Sequence, residues 1–236
     1  MIVKGIFFSY QAEGKYIGSP TVFVRFGGCN LSCYYCDTQR AKKILKKDEK
    51  NIDDVLKKIV NLIKKYKPEF ISLTGGEPLL QNENEIFNLL KKLKESRNIK
   101  VYFESNMSIK SKLKRFIDLI DVFAINLKLP IDDRRKLNTF NEVKRNIRLC
   151  KKFNKEYFLK IVVTKNFYNE KLLNSIVELI KFANPKLVVL QPETKSLKYG
   201  SKNFFFNLSN LYHTLYNYVK HIHIIPQLHK FVWKIK

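Results

Sequence analysis

The sequence lacks the long apolar or flexible segments that would indicate a membrane anchor or an interdomain linker. It has no run of about 18 apolar residues, the length that a membrane-spanning helix requires. The apolar stretch in residues 1–8 is too short for a signal peptide, and no small-residue cleavage site follows it. Stretches rich in Pro, Gly or Ser are also missing. We therefore expect a cytoplasmic protein, not bound to a membrane, in which residues 1–236 form a single core domain with short N- and C-terminal extensions.

Acidic residues are scarce: 21 Asp and Glu stand against 45 Lys and Arg, and the formal net charge is +24. Such a positive field attracts nucleic acids and anionic metabolites. The lysines, however, are spread over the whole chain and along predicted helix faces, which favours a solvated surface over direct nucleic-acid binding. Hydrophobic residues make up 45% of the sequence, which excludes an intrinsically disordered protein.

Only four cysteines are present, and Cys29, Cys33 and Cys36 lie within eight residues. A secreted disulfide framework would spread its cysteines, whereas a close group in a cytoplasmic chain indicates a metal site. The C-x3-C-x2-C spacing allows an iron–sulfur cluster or a structural zinc ion, since thiolates suit both. Structural zinc needs four ligands, and the remaining Cys150 lies in a helical apolar pattern. Three thiolates on a [4Fe–4S] cluster leave one iron open for catalysis, which is the better interpretation.

Segments with strand character alternate with segments of helical periodicity. The predicted strands are Thr21–Phe26, Phe70–Thr74, Lys100–Glu104, Val122–Leu127, Phe158–Thr164 and Leu187–Gln191. The predicted helices are Asp53–Tyr66, Asn84–Glu95, Leu137–Phe153, Glu170–Phe182 and Phe204–Tyr218. Strands that are apolar throughout are typical of a parallel sheet covered on both faces. The pattern predicts an α/β fold, a partial and open (β/α)6 TIM-like barrel, with its chemistry at the carboxyl ends of the strands.

Polar residues stand where four of the predicted strands end. Adjacent glycines follow the second strand, and they let a backbone approach a ligand closely. These strand-end groups are Gly75, Gly76 and Glu77, then Glu104, Ser105 and Asn106, then Asn126 to Lys128, and finally Gln191. Each group alone is equally compatible with an ordinary polar turn. Together they would meet at one edge of the sheet, beside the cysteines that follow the first predicted strand.

The cysteine spacing and the TGGEP segment at residues 74–78 together resemble the radical S-adenosylmethionine (SAM) superfamily. The resemblance implies a partial barrel of the radical SAM type and a [4Fe–4S] cluster on Cys29, Cys33 and Cys36, whose open iron is chelated by SAM. It also implies that one electron from a donor such as flavodoxin or ferredoxin cleaves SAM, and that the resulting 5′-deoxyadenosyl radical abstracts hydrogen from the substrate. The residues expected to contact SAM are Gly75, Gly76, Glu77, Ser105, Asn106, Lys128 and Gln191.

A second resemblance is carried by both ends of the chain. The segment SYQAEG at residues 9–14, the segment GSPTVFVRFGGCNL at 18–31 and the CDT at 36–38 are similar to the 7-carboxy-7-deazaguanine synthase family. That family has the pattern SIQGEG, then GxPxxFxRxxxCNL, then CDT. The PQLHK segment at 226–230 resembles the family's ending. The likeness runs from residue 6 to residue 230 and is sparse in the middle.

This resemblance implies a lyase that converts 6-carboxy-5,6,7,8-tetrahydropterin to 7-carboxy-7-deazaguanine with loss of ammonia, on the route to queuosine or archaeosine in tRNA. It further implies hydrogen abstraction at C6, a ring contraction assisted by Mg²⁺, regenerated SAM and a homodimer. Thr38 is the expected Mg²⁺ ligand, and Arg25 has the fork geometry that pairs with a carboxylate. The residues expected to bind substrate are Gln11, Ala12, Glu13, Arg25, Asp37 and His229.

Two other functions remain open at this point. The NLKLP segment at residues 126–130 resembles the DxKxP segment of glycyl-radical activating enzymes, which act on a protein and consume SAM. A zinc-stabilised RNA-binding module would instead account for the positive charge. The first alternative leaves Gln11, Glu13 and Arg25 without a shared role, so the pterin lyase is the favoured interpretation.

Overall fold

One sheet of eight strands runs through the part of the chain that the computed structural model describes, residues 1–96, 98–110, 112–165, 170–199 and 202–232. The strands are β1 (Val3–Tyr10), β2 (Pro20–Phe26), β3 (Phe70–Gly75), β4 (Lys100–Ser105), β5 (Val122–Leu127), β6 (Glu156–Val163), β7 (Leu187–Pro192) and β8 (His221–Ile224). Their spatial order follows the chain order, β1 pairs antiparallel with β2, and each later neighbour is parallel. Within these residues β1 and β8 are the two edges, so the sheet is the open, partial barrel that the sequence predicts.

Eight α-helices lie in the described residues, and the five longest of them cover the outer face of the sheet. The eight are α1 (Gln39–Lys42), α2 (Ile52–Tyr66), α3 (Glu83–Ser96), α4 (Phe140–Lys152), α5 (Glu170–Ala183), α6 (Thr194–Tyr199), α7 (Lys202–Tyr216) and α8 (Leu228–Val232). In α2, the Asn51 side chain caps the first turn by accepting from Asp54 N at 2.8 Å. Val55 and Ile59 form the buried stripe of α2, which packs against β1 and β2.

The six predicted strands correspond closely to β2 to β7, whereas the edge strands β1 and β8 are not predicted. An edge strand needs little apolar character, and β8 is four residues long with only Ile222 buried. The helix predicted over 137–153 begins too early. Because the Asn138 side chain accepts from Phe140 N at 3.1 Å, the chain before α4 follows a turn instead of a helix.

The inner face of the sheet changes from apolar to polar along the strands. Side chains alternate between the two faces of a strand, so every second residue points inward. At the amino-terminal end these inward residues include Phe70, Tyr102 and Phe158, which form a buried aromatic cluster. Further along the same inward rows, the residues are polar: Arg25, Thr74, Glu104, Asn126, Lys160 and Gln191. The barrel interior therefore has an apolar floor and a polar upper part at the carboxyl ends of the strands.

The main hydrophobic core lies between the outer face of the sheet and the helices. Cys150 on α4 is fully buried in this core, as its apolar pattern predicts. Each large side chain buried there stabilises the fold by about 2 kcal/mol through removal of apolar surface from water. In the described ranges, none of the helices combines the length and the apolar character that crossing a bilayer requires.

Candidate active site

A cavity of about 300 Å³ opens at the carboxyl ends of the strands. Its walls come from the inner face of the sheet, the loops after β1 and β2, and the segment that contains α8. All the predicted site residues except Glu77 and Ser105 line it: Gln11, Ala12, Glu13, Arg25, Cys29, Cys33, Cys36, Asp37, Thr38, Gly75, Gly76, Asn106, Lys128, Gln191 and His229. The fold thus brings motifs from both ends of the chain to one space.

The three clustered cysteines lie in the loop after β2, on one wall of the cavity. A turn within this loop is closed by a hydrogen bond from Cys36 N to Cys33 O at 3.3 Å. The segment after β5 holds the loop, because Cys33 pairs with Asp133 in an antiparallel bridge and the Asp133 carboxylate accepts from Ser32 N. The fourth cysteine, Cys150, is in the core on α4, so three thiols and no more line this cavity.

Lys128, at the end of β5, places a positive charge beside the thiols. Burial raises the pKa of Cys29 and of Cys33, and the Lys128 ammonium opposes that rise. Its Nζ lies 5.2 Å from the centroid of the Tyr35 ring in the same loop. Because metals bind the thiolate form, a cation at this position favours metal binding.

Gly75 and Gly76 allow β3 to end directly against the loop that carries Cys29. Gly75 has a φ of +116°, and a Cβ at this position would lie 2.5 Å from the backbone of Phe26. A Cβ on Gly76 would lie 1.8 Å from the carbonyl oxygen of Gly28. The Gly76 N–H also donates to Phe26 O at 3.0 Å. The glycine pair therefore fixes where the cysteine loop begins.

Gly76→Ala is expected to displace Gly28 and the cysteine loop, to lower the iron content after reconstitution, and to cost about 3 kcal/mol of stability through the steric clash. Iron analysis and thermal unfolding measure both effects. Gly5→Ala is the matched control, because its new Cβ would meet nothing closer than 3.8 Å. Equal iron content in Gly76→Ala and Gly5→Ala would contradict this role of the glycine.

Glu77 and Ser105 lie behind the cavity wall. Glu77 is 1% exposed, and its carboxylate accepts from Ser105 Oγ at 2.6 Å, Leu79 N at 3.0 Å and Asn106 N at 2.8 Å. Asn106 itself lines the cavity. The buried carboxylate therefore positions Asn106 and the end of β4, and it does not face the cavity space.

The loop after β1 carries Gln11, Ala12 and Glu13 into the cavity. The Ala12 carbonyl accepts from Leu228 N at 3.0 Å, which ties this loop to the start of α8. Glu13 accepts from Gln227 Nε2 at 2.8 Å. These contacts join the N-terminal and C-terminal segments, the two that carry the second resemblance, into one wall.

His229 on α8 lies against Asp37 of the cysteine loop, with 3.2 Å between His229 Nε2 and Asp37 Oδ2. Burial opposes ionisation of Asp37, but the hydrogen bond and charge of His229 and two nearby lysines outweigh it and lower the pKa of Asp37 to about 2. Candidate ligand atoms of Glu13, Asp37 and His229 lie within 4.8 Å of one another. This wall therefore holds a carboxylate that stays ionised at any physiological pH.

The sequence prediction assigns no site role to several charged residues of the cavity wall, of which Lys160 is the most buried, and it names Glu104 only as a strand-end residue. Lys160 is 4% exposed, and its ammonium contacts Glu104 Oε1 at 2.7 Å and also the Glu13 carboxylate. The signal was present in the sequence: one lysine interrupts the apolar run FLKIVV of a central strand. A charge in such a run is stable only with a buried partner, which the sequence does not identify.

Three buried polar atoms of the cavity wall have no hydrogen-bond partner among the described residues: Arg25 Nε, Asn126 Oδ1 and Gln191 Oε1. Buried polar atoms are nearly always paired, so these atoms indicate a polar ligand. The two acceptors suit amine and hydroxyl groups, which SAM carries, and the one donor suits a carboxylate. The three thiols on the adjoining wall suit a [4Fe–4S] cluster and leave one iron without a protein ligand.

Comparison with known proteins identifies the family. The model of the radical SAM superfamily matches residues 23–180, a range that contains the three cavity cysteines and the glycine pair. Enzymes of this superfamily use a [4Fe–4S] cluster, SAM and a reductant, which agrees with the donor set of the cavity. The cysteines are thereby explained without structural zinc.

Two curated relatives extend over nearly the whole chain. The 7-carboxy-7-deazaguanine synthase of Archaeoglobus fulgidus is 32% identical over 238 residues, covering 96% of each chain. That of Methanopyrus kandleri is 29% identical over 248 residues, covering 98% of this chain and 92% of the relative. The crystal structure of QueE from Escherichia coli shares the fold, with a TM-score of 0.62 at 17% identity, covering 96% and 93% of the two chains. The chain is therefore a radical SAM enzyme and belongs to the 7-carboxy-7-deazaguanine synthase family.

Proposed function

We propose that this enzyme converts 6-carboxy-5,6,7,8-tetrahydropterin to 7-carboxy-7-deazaguanine with loss of ammonia. The observation that carries the proposal is the composition of one cavity, which combines an arginine with a buried, unpaired Nε, a carboxylate wall and three thiols. A pterin carboxylic acid presents the complementary groups: a carboxylate at one end and an edge of N–H donors at the other. The curated relatives that match nearly the whole chain are named for the same product.

Arg25 is the group that we assign to the substrate carboxylate. Its Nε has no partner among the described residues, and its guanidinium stacks 5.2 Å from the centroid of the Phe7 ring. A guanidinium held in this way presents a fork to a carboxylate without further ordering. Gln11 and Glu13 on the neighbouring loop are assigned to the N–H edge of the ring, with His229 and Ala12 completing that wall.

The cofactors, when bound, supply one-electron cleavage of SAM and hydrogen abstraction at C6 of the substrate. The chain itself positions the cluster, SAM and the substrate, and it excludes water from the cavity. Cys29, Cys33 and Cys36 hold the cluster, and the aromatic floor closes the barrel below the cavity. We assign the SAM contacts to residues at the strand ends: Gly75, Gly76, Asn106, Lys128 and Gln191, with Glu77 and Ser105 behind them.

We assign Mg²⁺ binding to Thr38, with Asp37 nearby or acting through water. Hard oxygen ligands suit Mg²⁺, and the ionised Asp37 adds negative charge on this wall. The Thr38 hydroxyl lies 3.7 Å from the Cys36 sulfur, so a metal on Thr38 would stand beside the cluster loop. A cation there would neutralise charge on the substrate during ring contraction.

Thr38→Val keeps the shape of the side chain and removes its oxygen. We expect the apparent affinity for Mg²⁺ in turnover to fall about tenfold or more, since loss of a group that supports a metal typically costs that much. The measurement is product formation against Mg²⁺ concentration, with Thr214→Val on α7 as a control outside the cavity. An unchanged Mg²⁺ dependence in Thr38→Val would remove the assignment.

The segment at residues 126–130, which resembles that of activating enzymes, has a packing role here. Leu127 and Leu129 are at most 1% exposed in the core, while Lys128 faces the thiols. No feature of the described residues favours a protein substrate over a small molecule. We also propose that flavodoxin or ferredoxin is the electron donor and that the enzyme is a homodimer.

Turnover under anaerobic conditions tests the proposed function. The reconstituted, reduced protein is given SAM, Mg²⁺ and the tetrahydropterin, and product and SAM are quantified by mass spectrometry. We expect many molecules of 7-carboxy-7-deazaguanine for each SAM lost. Cleavage of SAM in an active, cluster-loaded protein without conversion of the pterin would show that the substrate is a different one.

A further inference from the structure

Lys160 forms the centre of a buried charged network inside the barrel. It lies in β6 directly above the aromatic Phe158 and is 4% exposed. Its ammonium donates to Glu104 Oε1 at 2.7 Å and to Glu13 Oε2. The mechanism proposed above gives this lysine no task, although its burial makes it costly to retain.

Glu104 and Glu13 also accept hydrogen bonds from the neighbouring walls of the cavity. Glu104 also accepts from Asn126 Nδ2 and Thr74 Oγ1, both at 3.2 Å, and Glu13 accepts from Gln227 Nε2 at 2.8 Å. Each ionised carboxylate offers about four acceptor sites. Both residues line the cavity, and the hydrogen bonds named here use about three of the four sites on Glu104 and about two of the four on Glu13.

The charges of this network do not cancel. Burial alone would lower the pKa of Lys160, but the two carboxylates outweigh it and raise that pKa, while the ammonium lowers the pKa of Glu104. Lys160 and Glu104 are therefore ionised, and the one ammonium serves two carboxyl groups, those of Glu104 and Glu13. The surplus acceptor capacity suits a ligand edge that carries neighbouring N–H donors and no negative charge.

We propose that Lys160 is a positioning residue that fixes Glu13 and Glu104 as paired acceptors for the N–H edge of the substrate ring. The inference rests on the proposed function for the identity of the ring. Without the ammonium, two half-buried carboxylates would lie close together with no shared counter-charge and would turn apart, so the acceptor pair would be lost. The carboxylate end of the substrate and the SAM-binding wall would be unaffected.

The test is equilibrium binding of 6-carboxypterin, followed by its fluorescence, and of SAM to the anaerobic, cluster-loaded protein. Lys160→Met is expected to weaken pterin binding at least about tenfold, as for loss of one hydrogen bond to a charged group, and to change SAM binding less than about twofold. Lys160→Arg keeps the charge and the donors and should bind pterin nearly as well as wild type. Lys186→Met, at an exposed position outside the cavity, is the matched control.

Lys160→Gln serves if the methionine variant does not fold, because it keeps a polar side chain and removes the charge. Unchanged pterin binding in the neutral variants would overturn the inference, and so would equal weakening of pterin and SAM, which indicates a purely structural role. Wild-type protein that binds pterin without converting the tetrahydropterin would refute the proposed function. The inference would then be decided by pterin binding to the Lys160 variants. Wild-type protein that binds no pterin would overturn both.

Discussion

Cys33→Ala is expected to abolish cluster binding and with it all cleavage of SAM. Cys33 is one of three thiols on one cavity wall, and no fourth cysteine lines the cavity to replace it. A [4Fe–4S] cluster that has only three protein thiolates cannot lose one and keep its geometry. Iron and sulfide analysis after anaerobic reconstitution, together with formation of 5′-deoxyadenosine, measures the effect, and we expect both to fall to background.

Cys150→Ala is the matched control for this variant. Cys150 is fully buried on α4, and burial raises the pKa of its thiol to about 12, so it remains a neutral, apolar group. Its replacement should cost about 1 kcal/mol of stability and leave iron content and SAM cleavage intact. A Cys33→Ala protein with full iron, or a Cys150→Ala protein without it, would show that the cluster lies elsewhere.

Arg25→Gln is expected to cause the second large effect, a loss of affinity for the pterin substrate. Removing one partner of a buried, hydrogen-bonded charge pair costs about 2–5 kcal/mol, which is a factor of about 30 or more in kcat/KM. Steady-state kinetics with varied pterin and with varied SAM separate the two ligands. The loss should appear in the pterin series, because the Arg25 guanidinium is assigned to the substrate carboxylate and not to SAM.

Arg148→Gln provides the comparison for Arg25→Gln. Arg148 is exposed on α4 and stacks on Phe182 at 5.0 Å, outside the cavity. The Arg148→Gln variant should leave the kinetics with varied pterin and with varied SAM unchanged. Arg25→Gln with normal pterin kinetics would mean that another group binds the substrate carboxylate, and an equal loss for SAM and pterin would point to a damaged sheet.

The central strands were predictable because β3 to β7 are apolar along their length, a pattern that local sequence carries. β8 is not predicted because it has four residues and only one of them is buried. β1 contains most of the apolar stretch of residues 1–8, but its antiparallel pairing with β2 lies outside the alternation of strands and helices that predicts the other strands. The turn before α4 depends on one hydrogen bond from Phe140 N to the Asn138 side chain. Periodicity alone places that helix start three residues too early.

The candidate site was predictable where residues form a spaced motif. The cysteines, the glycine pair and the loop of Gln11 and Glu13 all meet in the cavity as expected. Glu77 stands in such a motif and yet lies behind the wall, since sequence spacing does not give the direction of a side chain. Lys160 belongs to no motif, and its role depends on carboxylates 56 and 147 residues away along the chain.

The most direct test of the central claim is a single turnover experiment with the tetrahydropterin deuterated at C6. Mass spectrometry of SAM and of the product follows the label in the anaerobic, reduced enzyme. A cavity that holds the pterin beside the cluster and SAM predicts deuterium in SAM together with formation of 7-carboxy-7-deazaguanine. Active protein that cleaves SAM while neither SAM nor 5′-deoxyadenosine acquires deuterium, and no product forms, would contradict the account.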